Sequence, residues 1–162
     1  MSGSCHKHMT DLGLLAIRTI VAAVLIYHGG QKLFGWFGGP GLQGTTAFME
    51  KLAIPHANVA AVLSGSAEFF GGVLLLLGIA ARLAAIPMAI NMAVACATAH
   101  HGFSAMTGGM EYPLTLAIVL FGLILTGPGG FSLGRFCPCR CGMCRCGEVC
   151  ETPATPAAPP PT

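Results

Sequence analysis

The chain has 162 residues, 54% of them hydrophobic and only 9% charged, with a mean hydropathy of +0.72. That balance excludes an ordinary water-soluble globular domain and makes a lipid bilayer the natural solvent. The formal net charge is only +2 and the basic residues are dispersed until the C-terminal tail, so no basic face exists to track phosphates and nucleic acid is not an expected partner.

In chain order, residues 1–11 are a polar N-terminus. An apolar run interrupted only by Arg18 begins at Leu12 and continues through Tyr27 and His28 to Phe34; it exceeds the ~20 residues that cross hydrocarbon and is the first predicted span, 12–34. Lys7 before this run gives it the look of a signal peptide. It lacks a small-residue cleavage site and three more apolar runs follow, so it is expected to stay uncleaved. Gly35 to Leu52 reads as a loop with one short surface helix, broken at Pro55. The second span is 57–79, with Glu68 as its charge, and Arg82 sits in the tight turn before the third span, 83–100; the two form an antiparallel hairpin. A polar, Gly-rich stretch leads to the fourth span, 112–127, opened by Pro113 and closed by Gly127-Pro128-Gly129-Gly130. The expected fold is therefore an all-α membrane protein, a four-transmembrane-helix bundle over 12–133, followed by a Cys-rich tail (134–150) and a Pro-rich terminus (151–162) whose composition predicts disorder. Lys7, Arg82, Arg135, Arg140 and Arg145 fall on one face and Lys32 and Lys51 on the other. The positive-inside rule then puts both termini in the cytoplasm of a multi-pass protein of the bacterial inner membrane.

Four motifs fall in order and in register with these spans. His28-Gly29-x-x-Lys32-Leu33-x-Gly35 ends the first, and Glu68-x-x-Gly71-Gly72-x-Leu74-Leu75-Leu76-x-Gly78 runs through the second. Glu111-Tyr112-Pro113-Leu114 opens the fourth, and Gly127-Pro128-Gly129-x-x-Ser132-Leu133 closes it. Together they resemble the DoxX family of bacterial integral membrane proteins over about Leu12 to Leu133. The resemblance implies a four-helix bundle and an association with redox chemistry, either as an oxidoreductase or as a small subunit attached to a quinone-linked one. It implies nothing about the cysteine tail, which departs from the family's pattern.

Arg18 and Glu68 are the costly residues, because an ionised side chain in hydrocarbon needs a partner or water. Arg18 lies about six residues into the first span and Glu68 about eleven into the second, at ~1.5 Å per residue. Both are expected near mid-membrane as a buried pair: either a clamp between two helices, or a site in which Glu68 relays protons or polarises a quinone. His28, Lys32, His100, His101 and Glu111 come from three helices at one depth and form a predicted mouth, able to take a metal or a quinone's polar head; snorkelling at an interface is the plainer reading. Met88, Met92, Cys96 and His100 recur every fourth residue along the third span. That spacing suits core packing better than a soft-metal ladder. Asn91 is expected to hydrogen-bond across to a neighbouring helix, and the paired glycines to permit close helix contact.

The tail carries Cys137, Cys139, Cys141, Cys144, Cys146 and Cys150. Thiols this closely spaced can share a soft ion, and in a reducing cytoplasm they point to Zn or Cu rather than disulfides. Arg140 and Arg145 favour the thiolate form, and Cys5, His6, His8 and Met9 lie on the same face. Two functional classes compete: a redox accessory protein that holds a quinone or a partner oxidoreductase subunit, and a soft-metal transporter or sensor passing copper or mercury to the tail. A structural membrane subunit is the third. No Gly-x-Gly-x-x-Gly follows a strand, so any electron donor is a partner, and whether the chain is itself an enzyme is left open.

Overall fold

The computed structural model describes residues 2–100 and 102–136. Among them there is no strand. Five α-helices are present: α1 (Ser2–Phe34), α2 (Gly41–Lys51), α3 (Ala57–Leu77), α4 (Ala81–Thr98) and α5 (Glu111–Thr126). Three, α1, α3 and α4, are long and apolar enough to cross a membrane, and α5 is a shorter apolar helix. They form an all-α membrane bundle in which α3 packs on α1 and on α4, and α4 packs on α5. The short surface helix anticipated before Pro55 is α2, which packs on α1 and α3.

The bundle has a small interior. Leu25, Ala85, Met88 and Leu120 are fully buried, and the rest of the apolar surface looks outward: Ile20, Leu63, Ile90, Ile118 and Leu125 are each more than half exposed. An apolar girdle of this extent would not persist in water. Lipid covers it.

Helix α1 begins ten residues before the predicted span, because nothing in Ser2–Asp11 breaks a helix and the Thr10 hydroxyl donates back to the His6 carbonyl. At ~1.5 Å per residue its 33 residues reach about 50 Å, well beyond a ~30 Å hydrocarbon core. The excess projects past the end of the bundle where α3 gives way to α4. That turn is tight. Gly78, at φ 71°, takes the left-handed position, and the Ile79 and Gly78 amides donate to the Leu74 and Leu75 carbonyls, the pattern of a Schellman cap.

The four apolar helices α1, α3, α4 and α5 alternate in direction, so α1 starts where α5 ends. Here Asp11 Oδ1 accepts a 2.7 Å hydrogen bond from the Gly130 amide, and the Arg82 guanidinium donates to the Leu125 and Thr126 carbonyls. The opposite end holds α2, the α4–α5 loop and the last turns of α1.

Candidate functional site

Three glycines decide how closely α1 and α3 approach. A Cβ on Gly29 would lie 2.5 Å from the Phe69 nitrogen, one on Gly65 2.7 Å from the Leu33 side chain, and one on Gly72 3.2 Å from the Ala22 carbonyl. These contacts pair Gly29 with Phe69 and Leu33 with Gly65, so α3 begins about two turns before the level at which α1 ends. The offset brings Lys32, near the last turn of α1, one helical turn from Glu68 in the body of α3.

Lys32 Nζ lies 2.6 Å from Glu68 Oε1 and donates to Ser64 Oγ at 3.1 Å. Asn91 Nδ2, from α4, donates to the same Glu68 oxygen at 2.8 Å. Ser64 and Glu68 are one turn apart on α3, and His28 and Lys32 one turn apart on α1, so each pair shares a face. The Glu68 side chain is 1% exposed and that of Lys32 29% exposed; the ammonium descends from the membrane surface to a carboxylate sealed within the bundle. Glu68 Oε2 is buried with no hydrogen-bond partner among the described residues. A carboxylate oxygen in that position carries a desolvation cost unless something donates to it.

Beside this cluster, the Tyr112 hydroxyl of α5 and His28 Nε2 share a 3.2 Å hydrogen bond. The Glu68 cluster thus draws on α1, α3 and α4, and the Tyr112–His28 bond joins α5 to α1. Chemically, it presents an ammonium and an amide to one carboxylate oxygen, with the Ser64 hydroxyl on that ammonium, and leaves the other oxygen without a donor among the described residues.

The predicted Arg18–Glu68 pair does not form. Gly29 against Phe69 sets Glu68 about eleven residues along α1 from Arg18, ~16 Å of helix. Arg18 instead sits at the other end of the bundle, 2% exposed. There its Nη1 and Nη2 each donate at 2.7 Å, to the Pro128 and Phe131 carbonyls, and its guanidinium lies against Gly78. It fastens the segment after α5 and not an acid on α3, so the expected clamp between two helices is not the one formed. The depth estimate failed because α1 starts ten residues early and is displaced along its axis relative to α3.

The predicted mouth is likewise redistributed. Lys32 turns inward to Glu68, His28 turns to Tyr112, and His100 Nδ1 lies 3.0 Å from the Gly108 carbonyl within its own loop. Glu111 opens α5, its amide donating to the Phe103 carbonyl. No group of three His, Cys, Asp or Glu among the described residues is arranged to hold a metal ion. His101 and the tail cysteines Cys137, Cys139, Cys141, Cys144, Cys146 and Cys150 lie outside the described residues. Met88 and Met92 belong to the core cluster, Met88 packing where a Cβ on Gly71 would meet its sulfur. Asn91 bonds across helices as anticipated. Sequence reasoning missed Ser64 and the inward turn of Lys32, and it quoted Tyr112 only as part of a motif. The spacing Ser64-x-x-x-Glu68, with Lys32 one turn after His28, was the available signal.

The family model described as DoxX matches residues 13–101. Among curated proteins, the chain is 32% identical over 143 residues to the "Uncharacterized membrane protein Rv3486" of Mycobacterium tuberculosis, covering 81% of this chain and 85% of that protein. It is 27% identical to the "Inner membrane protein YqjF" of Escherichia coli, covering 80% of this chain and 95% of that protein. It is also 27% identical to the Bacillus subtilis protein named "Putative oxidoreductase CatD", covering 78% and 87%. No solved structure matches.

Proposed function

This chain belongs to the DoxX family of membrane proteins, and from that premise we propose that it is a redox accessory protein of the bacterial cytoplasmic membrane, with Lys32, Glu68 and Asn91 binding the polar head of a quinone. The observation that carries this reading is the buried Glu68 Oε2, without a partner in a cluster otherwise rich in donors. It fits a quinol hydroxyl as donor, and the N–H of Lys32 left over from its bonds to Ser64 and Glu68 fits a quinone carbonyl as acceptor. A quinone supplies two-electron, two-proton redox chemistry when bound. The residues of the chain would orient its head, exclude water from it and hold a proton at Glu68 Oε2. The electrons come from a partner oxidoreductase subunit.

Both termini are assigned to the cytoplasm by charge, and the six tail thiols to Zn or Cu binding by spacing alone.

The test is to purify the protein in detergent and quantify co-purified quinone in the natural chain and in Glu68→Gln. The expected result is retained quinone that falls at least tenfold in the variant while helicity and monodispersity are unchanged. Absence of quinone from the natural chain, or equal retention in Glu68→Gln, would overturn the assignment.

A further inference from the structure

Resting on the headgroup reading above, we propose that Thr45 of α2 is a positioning residue for that site: it holds the end of α1 so that the Lys32 ammonium stays on Glu68. The last carbonyls of an α-helix have no donor within the helix, and α1 ends at Phe34, two residues beyond Lys32. Lys32 therefore sits in a terminal turn, the kind that frays when nothing ties it down. The chain folds back at once. Gly35 takes the left-handed conformation at φ 71°, and Gly39 lies so close to α1 that a Cβ on it would be 2.5 Å from that of Gln31. This return lays α2 against α1, where the Thr45 hydroxyl donates to the Lys32 carbonyl at 3.2 Å and to the Gly41 carbonyl at 2.8 Å.

The hydroxyl has one proton, shared between the two acceptors. Its bond to Gly41 runs back one turn along α2, as threonine commonly bonds within a helix. Its bond to Lys32 crosses to α1. Thr45 is the buried residue of α2, only 4% exposed, so little water competes for either bond. Lys32 is thus held at three points. Thr45 holds its carbonyl, α3 passes beside its stem, where a Cβ on Gly65 would be 3.5 Å from the Lys32 Cβ, and Ser64 and Glu68 take its ammonium. The last two contacts come from α3, so Thr45 is what ties Lys32 to α2. A lysine side chain has four rotatable bonds to immobilise; fixing its backbone in advance lowers the cost of keeping the ammonium in place for a ligand.

The test uses the three lysines of the chain, Lys7, Lys32 and Lys51. Lys7 and Lys51 are exposed and serve as internal standards. The full chain in lipid nanodiscs, without added quinone, is acetylated with an N-hydroxysuccinimide ester, and the rate at each lysine is read by mass spectrometry. In the natural chain Lys32 is expected to react at least tenfold more slowly than Lys51. Thr45→Val, which keeps the shape and loses the hydroxyl, should speed Lys32 at least threefold and leave Lys7 and Lys51 unchanged. Thr45→Ser should behave as the natural chain does. Gly39→Ala should also expose Lys32 with Thr45 intact, because the loop carrying α2 must move off Gln31. An unchanged Lys32 rate in Thr45→Val or in Gly39→Ala, no difference between Thr45→Ser and Thr45→Val, or a rise shared equally by all three lysines would each overturn the role of Thr45. Quinone retention separates this proposal from the headgroup reading. Quinone lost in Glu68→Gln but fully kept in Thr45→Val counts against Thr45 alone, whereas a natural chain without quinone removes the headgroup reading and leaves the Lys32 rates to decide what Thr45 holds.

Discussion

Lys32 on α1 and Glu68 on α3 meet at 2.6 Å, with the carboxylate sealed inside the bundle and the ammonium still reaching its surface. The pair ties the two helices at the level where glycines already bring their backbones together, and it makes Glu68 dependent on a single cation.

Removing that cation should be costly. Lys32→Met leaves a buried carboxylate with only Asn91 and is expected to destabilise the bundle by roughly 3–5 kcal/mol. Lys32→Met combined with Glu68→Gln should recover most of the loss. Unfolding of the four proteins by graded SDS in mixed micelles measures the coupling; a double variant as unstable as Lys32→Met alone would show that charge burial is not the cause.

Arg18 fastens the segment behind α5 by two charge-assisted hydrogen bonds to carbonyls, each worth about 1.5–3 kcal/mol. Arg18→Met is expected to release the segment 127–136, raising its amide hydrogen exchange while α3 and α4 exchange as before. Arg18→Lys should rescue little, because one compact ammonium cannot span two carbonyls as a planar fork does. Full protection in Arg18→Lys would argue against the bidentate reading.

Gly29→Ala and Gly13→Ala test close packing against helix propensity. A Cβ at Gly29 meets the Phe69 backbone, whereas one at Gly13 has nothing within 4 Å. The first should force α1 and α3 apart and lower the thermal midpoint in detergent by several degrees. The second should be neutral or slightly stabilising, since alanine favours a helix over glycine by about 1 kcal/mol. Similar midpoints for the two variants would contradict the close approach.

Deleting residues 137–162 should abolish binding of Zn or Cu, measured as metal per chain after dialysis, and leave the bundle's thermal midpoint within about 2 °C. The midpoint should hold because the Asp11 and Arg18 bonds to Pro128, Gly130 and Phe131 remain, and surface changes away from such contacts usually cost little. Metal retained by the shortened chain would move the site to the bundle.

The membrane, the four apolar runs and the DoxX motifs were legible residue by residue, because hydropathy and helix length are properties of each segment alone. So was the role of Asn91: a buried amide in lipid must find a partner across a helix boundary. The partner of Glu68 was not legible. Counting depth inward from each span's own end assumes that the spans start level, and α1 neither starts where its apolar run starts nor ends level with the beginning of α3. That axial offset is set by where Gly29, Gly65 and Gly72 allow the two backbones to touch, a relation between helices that no single helix encodes. Sequence by itself determined that this chain lives in a bilayer as a helical bundle with two buried charged residues. Only the tertiary structure decided that Lys32 answers one of them and two carbonyls answer the other, because pairing depends on register between helices and on side-chain reach.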